Sequence, residues 1–154
     1  MAVGTVTIYR KNLDVLNMAD LLGATVKMAL VKSTYTPDFT NTGDSVWADI
    51  SADEIANGNG YTTGGQALTT DVATAVTDGF KYSSDSPVWN ATPSDIPVWR
   101  YAVMYVEGSL WGVTNPLVCA FLGDTTPADV PATSAGNPLT INTPTDGWFD
   151  TTQP

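Results

Sequence analysis

Histidine is absent from this 154-residue chain, cysteine occurs once, and Lys and Arg together number 6 against 16 Asp and Glu. The missing imidazole removes the commonest general base, the usual base of a nucleophilic triad and a frequent transition-metal ligand, which argues against most familiar hydrolase and zinc mechanisms. A single cysteine allows no internal disulfide. Cys119 lies in the apolar run PLVCAFLG and reads as a buried, inert thiol. A formal net charge of -10 opposes direct binding to nucleic acid, whose phosphates draw their affinity largely from Lys and Arg. No apolar run has the length of a membrane span, and the opening MAVGTVTIYRKNLDVL lacks the basic-then-apolar layout of a signal peptide. The expectation is a soluble chain, not exported by that route, with no membrane partner.

What is present is 43% apolar content, enough to build a core and to argue against wholesale disorder. A single β-rich domain over 1–154, with extended N- and C-terminal segments, is the expected organisation. GTVTIY (4–9) reads as a strand; residues 12–22 carry an imperfect helical stripe with Asn12 as N-cap and Gly23 as stop. ATVKMALVK (24–32) alternates and is the clearest strand of the first half, followed by an exposed loop at 33–45. QALTT (66–70) and VATAVTDGFKY (72–82) read as strands, the second folded at Asp78-Gly79. Three prolines keep residues 83–97 out of a central sheet position. VWRYAVMYVEG (98–108) is apolar or aromatic on both faces, as a doubly covered strand is, and PLVCAFLG (116–123) is placed to pair with it. A long surface excursion from 124 to 138 precedes a last strand at 139–144. About seven strands with one or two short helices give a mainly β fold, an antiparallel β-sandwich or partly open barrel.

The stretch SADEIANGNGYTTGGQAL (51–68) holds Gly58, Gly60, Gly64 and Gly65. It is not a phosphate loop: the spacing is Gly-x-Gly-x-x-x-Gly, no Lys or Arg lies between Lys32 and Lys81, and a strand rather than a helix follows. Ser51 and Glu54 have capping-box spacing, and Gly58 suits a left-handed helix exit. Asp124 with Asp129, or Asp146 with Asp150, lack the dense spacing of a calcium loop and read as solvated loop acids. Trp99, Tyr101 and Tyr105 lie within the strand pattern and are expected in a core or interface. For Trp111, Trp148 and Phe149, in turn or tail contexts, burial and partner contact weigh equally. Exposed tryptophans would also suit a glycan-binding surface module.

Five segments occur in a distinctive order: KMAL (27–30), YTP (35–37), WADI (47–50), GYTTGG (60–65) and RYAV (100–103). This ordered set, spanning roughly 24–123, resembles a widespread class of small virion structural proteins of tailed bacteriophages. Asp53 stands where that class often carries a neutral amide, and DTTPADVPATSAGNP departs from its pattern. The resemblance implies a non-enzymatic particle protein assembled in the host cytoplasm, foremost a capsid decoration or cement protein on the head exterior. A tail, fibre or head–tail junction component is the alternative. It implies a homo-oligomer contacting the major capsid protein or other virion proteins, with no cofactor and no catalytic or metal-binding residue. Segments 3–9 and 139–150 are then the expected contact segments. Val3, Val6, Ile8, Tyr9, Trp111, Trp148 and Phe149 are the candidate contact residues.

Overall fold

The computed structural model describes residues 6–124 and 129–152; Val3 lies outside the described residues. Along the chain run β1 (Val6–Ile8), α1 (Met18–Leu21), β2 (Thr25–Val31), α2 (Trp47–Ile50), β3 (Gln66–Ala67), β4 (Val72–Val76), β5 (Gly79–Ser83) and β6 (Val88–Asn90). They are followed by β7 (Tyr101–Glu107), β8 (Ser109–Leu110), β9 (Val113–Thr114), β10 (Leu117–Leu122), β11 (Pro138–Thr140) and β12 (Phe149–Thr152). The fold is mainly β and sandwich-like, all its strand pairs are antiparallel, and none of the described sheets closes into a barrel.

The central sheet has the order β1-β10-β7-β2-β3. β2 and β7 pair without interruption from Thr25 opposite Glu107 to Val31 opposite Tyr101. Because side chains alternate across a strand, this register sends Val26, Met28, Leu30, Ala102, Met104 and Val106 to one face. Ala29, Val31, Val103 and Tyr105 go to the other. Both sets are buried, the expected fate of strands that are apolar at both parities. The first face packs against a second β layer, comprising the sheet β12-β5-β4 and the ribbon β11-β6, through Tyr82, Trp89, Leu139 and Trp148.

The opposite face is closed by α2 together with Tyr35 and Phe39 from 33–45, the segment expected to be an exposed loop. Tyr35 and Ile50 are buried there, Phe39 and Trp47 pack alongside, and the Trp47 ring stacks on Tyr105 at 4.5 Å. Turn-forming residues in 33–45 do bend the chain, but their aromatics give the bend an apolar underside. A carboxylate pins it: Asp44 Oδ2 accepts the Tyr35 hydroxyl at 2.7 Å and the Asp38 N–H at 3.0 Å.

Two capping expectations are corrected. Asn12 does not cap a helix; it is buried, and its Nδ2 donates to the carbonyls of Ser45 (2.7 Å) and Leu117 (2.9 Å). The helix starts later, where Asn17 Oδ1 accepts the Ala19 N–H at 3.0 Å. Ser51 and Glu54 do not form a capping box either. α2 ends before them, and Asp49 serves its N-terminus by accepting the N–H groups of Ser45 and Val46 at 2.9 and 3.1 Å. The 124–138 excursion is also anchored inward, since Val130 is buried and exchanges backbone hydrogen bonds with Trp99.

Candidate functional site

The glycine cluster does bind an anion, and the anion belongs to the chain itself. Glu54 is 8% exposed, and its Oε1 accepts the Gly64 N–H at 2.6 Å and the Tyr61 hydroxyl at 2.7 Å. Burying a carboxylate is costly unless charge-assisted hydrogen bonds replace its water, and the loop supplies them. Tyr105 adds a bond from its hydroxyl to the Gly64 carbonyl at 2.8 Å. Gly65 is held at φ +72° against β2, where a Cβ would run into the Met28 carbonyl.

Asp146 and Asp150, one of the acid pairs that the sequence offers, come together at the rim of a surface slot among the described residues. No group of three or more His, Cys, Asp or Glu side chains among the described residues could hold a metal ion. Cys119 is fully buried, and that burial pushes its thiol pKa upward, away from the nucleophilic thiolate. Asp129 is paired with Arg100 Nε at 2.8 Å. Five phenols, those of Tyr9, Tyr35, Tyr61, Tyr82 and Tyr105, have raised pKa values, chiefly because burial penalises their charged form. They are structural donors and acceptors, held neutral.

The candidate contact residues divide sharply. Strand alternation turns Tyr9 to the α2-covered face, where it is fully buried with its hydroxyl 2.8 Å from that of Tyr35. Trp148 is also fully buried, 5.4 Å from the Phe121 ring, with Nε1 donating to Ser84 Oγ at 2.8 Å. Phe149 is buried and stacks on Tyr82 at 5.5 Å. Tyr9 thus packs in the core, and of the two alternatives weighed for Trp148 and Phe149 the chain shows burial, because the tail returns as β12 beside β5; both still line a slot at the edge of the layers. Trp111 is half-buried in the two-residue turn between β8 and β9, and its Nε1 donates to Asp20 Oδ2 at 2.9 Å.

Val6 and Ile8 behave differently. They are half-buried on β1, an outer strand of the central sheet, while β12 is an outer strand of the second sheet. Between them lies a slot of about 290 Å³ lined by Val6, Ile8, Asp146, Gly147, Trp148, Phe149 and Asp150. The two segments expected to make contacts therefore meet at one seam of the sandwich. Its floor is apolar and its rim carries two exposed carboxylates. Local sequence supplied the segments; their convergence, and the participation of Asp146 and Asp150, required the fold. A second, larger groove of about 390 Å³ runs between Leu16, Met18 and Ala19 on one side and Ala73, Phe80 and Thr151 on the other, with Phe80 52% exposed.

Comparison with family models, with curated proteins and with solved structures gives no match to this chain. Among the described residues no helix is long and apolar enough to cross a membrane.

Proposed function

We propose that this chain is a non-enzymatic structural protein of a tailed-bacteriophage particle, acting by association. Its first placement is as a capsid decoration protein on the head exterior, and its second is in a tail, fibre or head–tail junction. The observation that carries the reading is the ordered set of five segments, together with their meeting in space. KMAL lies on β2, where Ala29 opposes Val103 of RYAV; WADI stacks on the same sheet through Trp47; GYTTGG reaches it through the Tyr61 hydroxyl, which accepts the Leu30 N–H at 3.0 Å. YTP joins through Tyr35, whose ring meets Tyr101 edge-on at 5.7 Å. The resemblance thus rests on residues that pack on the two faces of one sheet, which is how a scaffold would leave its trace in sequence.

Three further features support the reading. A charge of -10 suits a particle's outer surface better than a DNA-filled lumen. The exposed groove beside Phe80 offers a surface for neighbours, including further copies of the chain. Tryptophan stacking platforms for a glycan lose Trp148 to the core. The test is quantitative mass spectrometry and electron cryomicroscopy of particles purified from a phage encoding this chain. Many symmetric copies on the head support decoration, copies confined to the tail select the second placement, and absence from particles refutes both.

A further inference from the structure

We propose that the outer edge of β1 receives an extended polypeptide segment carrying apolar and basic side chains, added as a strand that fills the β1–β12 seam. The inference goes beyond the particle assignment and does not depend on it.

The backbone supplies the first part of the argument. Tyr9 N–H donates to the Val118 carbonyl at 3.1 Å. In an antiparallel ladder every second residue bonds the same neighbour, so Thr7 faces β10 while the N–H and C=O groups of Val6 and Ile8 face outward. β1 pairs with β10 alone among the described strands. An edge of this kind is a template for another strand, since main-chain hydrogen bonds give affinity and the pockets beside it select alternate side chains.

Side chains supply the second part. An added strand would send alternate residues into the slot, onto Val6, Ile8 and Phe149, and both charged residues lining that slot are acids, Asp146 and Asp150. Lys81 stands opposite Asp150 on β5 and offsets part of their charge, but it does not line the slot. A second copy of this chain would bring its own Asp146 and Asp150 and a further charge of -10 to the same place. Like charges across an interface are disfavoured, so charge complementarity selects a basic segment of a different protein.

The probe is the synthetic peptide acetyl-TVTKTVTK-amide, compared with acetyl-TVTETVTE-amide, titrated into the full chain and followed by amide hydrogen exchange. The lysine peptide is expected to bind at least about fivefold more tightly than the glutamate peptide, a preference that salt weakens. It should slow exchange at the outward amides of Val6 and Ile8, while Thr7 changes little. The exposed double substitution Asp146→Asn with Asp150→Asn should abolish the preference between peptides. Equal binding of the two peptides, or binding without protection of Val6 and Ile8, would overturn the proposal. So would protection of those amides in peptide-free protein: rising with protein concentration it would identify a second copy as the occupant, and independent of concentration it would mean the chain covers its own edge.

Discussion

The Tyr61 hydroxyl stands 2.7 Å from Glu54 Oε1 and 3.0 Å from the Leu30 amide nitrogen, so one phenol links a buried carboxylate to the central sheet. Through that oxygen the glycine loop is fastened to β2, the strand it crosses. Glu54→Ala would leave the Gly64 N–H and the Tyr61 hydroxyl without their acceptor, a loss of about 3 kcal/mol, whereas Tyr61→Phe should cost about 1–2 kcal/mol. Because the residues share one network, the double variant should lose less than the sum. Urea unfolding of the three variants measures this; strict additivity would mean the network is not a unit.

Gly65 and Gly112 separate backbone strain from close approach. Both have positive φ, +72° and +75°, but a Cβ at Gly65 meets the β2 backbone while one at Gly112 meets nothing within 4 Å. Gly112→Ala should therefore cost about 1 kcal/mol from strain alone. Gly65→Ala should cost at least about 3 kcal/mol, since β2 or the loop must move. Equal thermal shifts for the two would contradict the close packing of the loop on Met28.

Alkaline stability follows from the buried phenols. Their folded pKa values lie above the ordinary value of about 10, chiefly through burial, and for Tyr35 also through Tyr9 and Asp44. The folded state therefore keeps protons that the unfolded state releases. Stability is intact below about pH 10 and falls above it, each such group contributing about 1.4 kcal/mol per pH unit. Phenolate absorbance for these five tyrosines should rise together with loss of structure, and Tyr35→Phe should make the alkaline decline shallower. Titration of all of them near pH 10 with the fold intact would refute this.

Trp148→Ala should destabilise the chain by about 3–5 kcal/mol, since it empties a fully buried site between Phe121 and β5 and removes the bond to Ser84. Trp111→Ala, at a half-buried turn, should cost about 1 kcal/mol. Thermal midpoints of the two variants test the contrast. Similar shifts would return Trp148 to the surface role that its tail position suggests.

Much of the fold was legible in local pattern. The alternation in 24–32 and 98–108 located β2 and β7, and the apolar residues at both parities of 98–108 foretold a strand covered on two faces. The hairpin at 72–82 formed as expected, though its turn lies over Thr77 and Asp78, with Gly79 already opposite Val76. The contact site was only half legible. Val6 and Ile8 reach the seam, but Tyr9 belongs to the opposite face, and period-two alternation could have separated it from them.

By itself the sequence determined that this is a β protein with no imidazole, one thiol inside an apolar strand and few cations. Those properties are local, decided by composition and by which parity of each strand is apolar. Only the tertiary structure decided what the long-range contacts settle: that Glu54 is the anion its glycine loop encloses, that Tyr35 meets Tyr9 across 26 residues, and that β12 meets β1 along an open seam. Such pairings depend on which surfaces the chain brings together when it buries its apolar area, and no spacing along the sequence encodes them.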